Sequence, residues 1–187
     1  MTSKMVRERF GGRRSIRLPE YDYSQDGGYF VTICTRNHKT YFEHYEELRK
    51  IVEREWLNIP KRFCTVQLDE FVVMPNHVHG IIIIVGATLA VAQNERARAS
   101  LAPTSTNRHV SPTIGRIIGA FKSSSANAWL RYVERHRCDA PVRFWQRNYY
   151  EHVIRNEYDL NEIRKYIIEN PLKWALDEEN PERDMNM

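Results

Sequence analysis

Hydrophobic and polar positions along this chain predict seven elements. Gly27 and Gly28 open a run of β-branched and aromatic residues over 29–35, which reads as a strand. Residues 44–58 place Leu48, Ile51, Val52 and Trp56 at three- and four-residue spacing, interrupted only by Glu55, so they read as a helix that Pro60 stops. Residues 66–74 form a second strand, Pro75 and Asn76 a turn, and residues 77–85 a third strand. The short connection makes these two strands antiparallel. Thr113 caps a helix over 114–136 whose packed stripe is Ile114, Ile117, Ile118, Phe121, Ala128 and Trp129. A fourth strand is expected around 143–146 and 150–154, broken by a bulge near Asn148. Asn156 caps a last helix running to Asn170, where Pro171 interrupts it, and a short helix follows through Leu176.

The order β-α-β-β-α-β-α is that of an α+β, ferredoxin-like split βαβ fold. It predicts a four-stranded antiparallel sheet with helices on one face and an extra C-terminal helix. Residues 27–176 form one domain, preceded by a basic arm over 1–26 and followed by an acidic tail over 177–187. Residues 86–112 are rich in Ala, Ser, Thr and Asn and hold no aromatic residue. They are expected to be a mobile insertion. Such a sheet hosts many unrelated functions, so function has to come from the site.

Composition bounds the class. The 187 residues are 42% hydrophobic and 28% charged, ordinary values for a globular domain. The net charge is only +4, but it is segregated. Lys4, Arg7, Arg9, Arg13, Arg14 and Arg17 crowd the arm, and Arg116, Lys122, Arg131, Arg135, Arg137, Arg143 and Arg147 crowd 114–147. Clustered cations of this kind suit a polyanion, although a solvated basic face gives the same pattern. Cys34, Cys64 and Cys138 are far apart and form no CxxC, which predicts reduced thiols and a cytoplasmic, nucleoid-associated setting. The start of the chain lacks an apolar signal core, and the greasy run over 81–92 is too short to span a bilayer, so no membrane partner is expected.

His77 and His79 lie two apart on the third predicted strand, so both imidazoles leave the same face and are able to grip one metal ion. Hydrogen-bonded structural histidines are the alternative, and an HxH pair arises readily by chance in a chain with seven histidines. On the last helix Tyr166 and Asn170 are i and i+4, at the edge of the stripe of Leu160, Ile163 and Ile167. That placement aims the Tyr166 hydroxyl along the sheet, and the Asn170 carbonyl oxygen is a candidate third ligand. Packing explains a boundary tyrosine equally well, and Asn170 before Pro171 is also a natural cap for a new helix. Residues 144–152 interleave Trp145, Tyr149 and Arg147 with amides, a composition suited to base stacking and phosphate contact, or to an aromatic edge strand. His152 is a second candidate for the third metal ligand.

The segments VVMPNHVHGIIII, GAFKS, FWQRNYYEHVIRN, YIIENPLKW and the opening RRSIRLPEYDYSQDGGYFVTICT resemble the REP-associated tyrosine transposases. These are relatives of the small single-strand insertion-sequence transposases within the HUH endonuclease superfamily. The resemblance covers roughly residues 13–176 without the 86–112 loop. It implies that His77 and His79 are the HUH pair, that Tyr166 is the single catalytic tyrosine and that Asn170 is the third metal-binding side chain. It further implies a Mg²⁺ or Mn²⁺ ion and a 5′-phosphotyrosine intermediate. The implied partner is single-stranded or hairpin DNA from a repetitive extragenic palindrome. Arg13, Arg14, Arg17, Lys122, Arg147, Trp145 and Tyr149 are the expected DNA contacts. A non-catalytic nucleic-acid-binding module is the competing class, and a replication-initiator or relaxase type of HUH enzyme is a weaker third. Both monomer and homodimer remain open.

Overall fold

The computed structural model describes residues 25–85, 112–176 and Asn180. Strand β1 (Gly27–Cys34) leads through short turns to helix α1 (Glu46–Leu57), then to β2 (Val66–Val73) and β3 (His77–Ile84). Helix α2 (Ile114–His136), β4 (Tyr150–Ile154) and α3 (Glu157–Glu169) complete the order. The sheet runs β2-β3-β1-β4 with every neighbouring pair antiparallel. This is the split βαβ order expected from the sequence. The arm with Arg13, Arg14 and Arg17, most of the insertion and nearly all of the acidic tail lie outside the described residues.

Strand periodicity divides the core in two. Tyr29, Val31 and Ile33 of β1 and Val78, Ile82 and Ile84 of β3 face α1 and α2, meeting Leu48, Val52, Trp56, Ile117, Phe121 and Trp129. Phe30 and Ile81 point the other way and meet Ile163 and Ile167 of α3. The sheet is therefore a wall between a two-helix layer and the single helix α3. Gly80 lets the first layer close. A methyl group there would sit 2.3 Å from Trp56 Cζ2, so only glycine lets the indole lie flat on β3.

Three details differ from expectation. Helix α1 ends at Leu57, and Pro60 sits in a separate turn, Ile59–Arg62, near its first position where a missing N–H costs nothing. The fourth strand is Tyr150–Ile154 alone, and upstream only a single bridge joins Trp145 to Thr35. Thr32 pairs with Tyr150, so the three steps from Thr32 to Thr35 correspond to five on the segment leading into β4, and the surplus loops out. Finally, Pro171 does not break the last helix cleanly. Asn170 keeps helical dihedrals (φ −57°, ψ −44°), and the chain passes straight into the 3₁₀ turn Asn170–Leu176. A proline in the first turn of a new winding needs no donor. Asn170 is thus a helical residue rather than an extended N-cap.

Candidate metal and nucleophile site

Both imidazoles of the His77/His79 pair emerge on the α3 side of β3 and are buried. Each is held by its outer nitrogen. Asn76 Nδ2 donates to the His38 carbonyl at 3.0 Å, which turns Asn76 Oδ1 toward His77 Nδ1 at 2.7 Å. An amide oxygen only accepts, so His77 carries its proton on Nδ1 and its Nε2 is an acceptor, facing His79 Nε2. That carbonyl reaches Asn76 because Asn37 and His38 adopt left-handed backbone (φ 58° and 53°) just after β1. On the other ring, Thr32 Oγ1 lies 2.9 Å from His79 Nδ1, directly across the strand pair. A hydroxyl both donates and accepts, so Thr32 supports either tautomer of His79. Phe30 stacks on the His79 ring at 5.4 Å and fixes its plane.

The two Nε2 atoms converge to 2.9 Å. Adjacent ligands of an octahedral ion with bonds of about 2.0–2.1 Å stand about 3.0 Å apart, so the pair is already spaced for one divalent ion. Burial drives the His79 pKa down to about 3, which keeps the ring neutral and its lone pair available. This has a consequence for stability. Below the unfolded value of 6.5, the unfolded chain takes up a proton that folded His79 refuses until about pH 3. Metal-free protein is therefore expected to lose stability as pH falls through that window, by up to about 1.4 kcal/mol per pH unit from this residue. Thermal melts at pH 7.5 and 5.0 check it, and His79→Gln should flatten the dependence.

Helix α3 brings the other two groups. Asn156 caps it by accepting from the Asp159 amide at 2.9 Å. Arg164 then grips Asp69 with two hydrogen bonds of 2.9 and 2.5 Å at the bulge between Leu68 and Phe71 of β2. This bidentate pair fixes the rotation of α3 over its own sheet. The Tyr166 hydroxyl consequently lies 3.3 Å from His79 Nε2, and its ring packs edge-on against Phe30 and His79. One turn on, Asn170 is 2% exposed and its Oδ1 has no hydrogen-bond partner. One turn further, the Trp174 indole stands 6.1 Å from the His77 ring. Asn170 thus sits between a residue touching His79 and one touching His77.

A buried amide oxygen without a donor costs roughly 1–3 kcal/mol, and native structures tolerate one mainly where something else binds it. Among the described residues no group of three His, Cys, Asp or Glu side chains gathers to hold a metal. The candidate donors are the two imidazole nitrogens and, one helical turn beyond Tyr166, the buried Asn170 amide oxygen, all neutral. They fit a divalent ion that keeps open positions for phosphate oxygens and water.

An uncharacterized protein of Haemophilus influenzae is 39% identical over 174 residues, covering 89% of this chain and 92% of its own. A solved REP-associated tyrosine transposase bound to a REP hairpin superposes with a TM-score of 0.50 at 17% identity, covering 84% of this chain and 74% of that one. No family model matches. The chain belongs to one family with the Haemophilus protein, and its fold is that of the REP-associated tyrosine transposases.

Within this family member the remaining candidates sort by position. Lys122, an expected DNA contact, has its ammonium donating to the carbonyls of Gln146 and Asn148 at 2.8 Å each and of Arg147 at 3.5 Å. Burial lowers its pKa to about 8. It staples the looped-out turn before β4, and thereby Trp145, whose indole donates to Ser125 Oγ at 2.9 Å, and Tyr149. Arg147 is exposed on that turn. His152, paired with Phe30 across β1 and β4, lies 3.0 Å from Asp159 near the start of α3, seven residues before Tyr166. Tyr150 pairs with Thr32 across β1 and β4, and burial pushes its pKa well up. Thr32, Asn76, Trp174 and the Arg164–Asp69 clamp were not singled out from sequence. Their roles depend on residues up to 95 positions apart, and no local spacing signals them.

Proposed function

We propose that this chain is a metal-dependent single-strand DNA endonuclease and strand transferase with Tyr166 as nucleophile. The observation that carries the reading is the approach of the Tyr166 hydroxyl to 3.3 Å from His79 Nε2, itself 2.9 Å from His77 Nε2, with the buried, unpartnered Asn170 Oδ1 one helical turn on from Tyr166. His77, His79 and Asn170 would hold Mg²⁺ or Mn²⁺. Once bound, that ion polarises the phosphate and stabilises charge on the departing oxygen. Asn76 and Thr32 keep both imidazoles aimed, and their loss should weaken metal binding without touching the nucleophile.

Tyr166 Oη attacks phosphorus and loses its proton to solvent. The bond from phosphorus to the 3′-oxygen breaks, and that oxygen takes a proton. The products are a 5′-phosphotyrosine and a free 3′-hydroxyl. One phosphodiester replaces another, so rejoining needs no nucleotide cofactor. The substrate is single-stranded DNA beside a hairpin, as the resemblance implies and as the hairpin bound by the solved transposase supports. Arg13, Arg14 and Arg17 of the arm are proposed backbone contacts, and Arg147, Trp145 and Tyr149 line a proposed strand path.

The test is a labelled hairpin oligonucleotide incubated with the protein and Mn²⁺, then run on a denaturing gel. A covalent species is expected, lost on adding a chelator, with the label mapping to the peptide that holds Tyr166. Tight binding with no adduct on any single-stranded substrate would leave a non-catalytic DNA-binding module instead.

A further inference from the structure

On the face of the molecule away from the histidines, α1 and α2 leave a cleft of about 220 Å³ lined by Glu47, Ile51, Arg54, Ala128, Arg131, Tyr132 and Arg135. Its floor is apolar, with Ile51 and Ala128 both buried. Its rim carries three guanidinium groups. Arg131 and Arg135 are i and i+4 on α2, so they stand side by side, and Arg54 faces them from α1. Tyr132 is held between Trp129 (5.4 Å, nearly parallel) and His136 (4.1 Å), which makes that wall rigid.

The charge pairing around this cleft is uneven. On α1, Arg49 pairs with Glu53 and Lys50 with Glu46 and Glu47. Beyond the sheet, Arg164 pairs with Asp69, and Lys165 and Lys173 with Glu169. Lys50 thus already engages Glu47, the cleft's one carboxylate. Among the described residues no ion pair is formed by Arg131 or Arg135, and Arg54 reaches only its sequence neighbour Glu55, at 3.4 Å. Arg131 and Arg135, with no carboxylate partner among the described residues, repel each other across one concavity, and Arg54 adds a third guanidinium held only by Glu55. An anion entering the cleft relieves that repulsion, and the planar fork of arginine matches a phosphate in particular.

We infer that the cleft lined by Arg54, Arg131 and Arg135 binds the phosphate backbone of duplex DNA, the stem of a hairpin. The identity of the duplex rests on the proposed DNA-processing function; the phosphate chemistry of the cleft does not. Contacts here carry affinity and register, while bases are read elsewhere.

The test uses the full chain carrying Tyr166→Phe, so that binding is not confounded by covalent capture, with and without Arg131→Gln and Arg135→Gln together. Fluorescence anisotropy is read on a blunt duplex and on oligo-dT. The double change should weaken duplex binding at least about tenfold and reduce the slope of log affinity against log salt by about 1.8, two phosphate contacts' worth. Affinity for oligo-dT should hold. Arg131→Lys with Arg135→Lys should restore the salt slope, separating lost charge from misfolding. Unchanged duplex affinity, an equal loss for oligo-dT, or no duplex binding by the parent protein each overturns the inference. Failure of the nucleophile reading shows separately, as no covalent adduct from the chain that retains Tyr166.

Discussion

Tyr166→Phe is expected to abolish the covalent DNA adduct, by about 10³-fold or more, while the protein folds and binds DNA as before. The substitution removes one oxygen. The ring keeps its edge contacts with Phe30 and His79, at centroid distances of 6.1 and 5.2 Å. The half-buried contact of 3.3 Å between the hydroxyl and His79 Nε2 goes with that oxygen, worth about 1 kcal/mol or less. Melting temperature and hairpin affinity should therefore stay close to those of the parent. That split between chemistry and binding is what a nucleophile predicts and a packing tyrosine does not. Persistence of the adduct would move the nucleophile elsewhere. An adduct lost together with binding would instead make Tyr166 part of the DNA surface.

Much of this site was readable because it follows from periodicity. HVHGIIII alternates faces whatever its surroundings, so His77 and His79 had to share one side of β3, and i, i+4 spacing had to put Tyr166 and Asn170 on one face of α3. The parts that resisted are those in which tertiary contacts override local preference. Residues 143–146 have the composition of a strand, yet two surplus residues opposite β1 force them out of register, and Lys122 rather than a partner strand satisfies the turn's carbonyls. Pro171 marks a break by rule, yet the winding continues because its first turn requires no N–H. The carbonyl partners of Lys122 were not legible either, because charge is visible in a sequence and burial is not. The same holds for the cleft arginines. Their run along α2 was evident, but their lack of carboxylate partners emerges only when α1 packs beside them.

Asn170 gives the sharpest test of the metal, because three substitutions should move stability and metal response in different directions. Its Oδ1 is buried and lacks a donor in the metal-free fold, so the residue costs stability there. Asn170→Leu replaces the amide with an apolar group of similar size. Metal-free protein should then melt at the parent temperature or higher, by up to about 1–2 kcal/mol of stability. The rise in melting temperature that Mn²⁺ gives the parent should vanish, because two imidazoles alone leave the ion one protein ligand short. Asn170→Asp restores an oxygen donor and adds a charge. Metal-free protein should be destabilised by an unpaired buried carboxylate, and Mn²⁺ should recover more than it does in the parent. Adduct formation should follow metal occupancy, lost in the first variant and retained in the second when Mn²⁺ is saturating. If Asn170 merely packs, both variants would keep the parent's Mn²⁺-induced shift, and the orphaned oxygen would have no part in the chemistry. A residue that costs stability without the ion and returns it with the ion is what distinguishes a ligand from a filler.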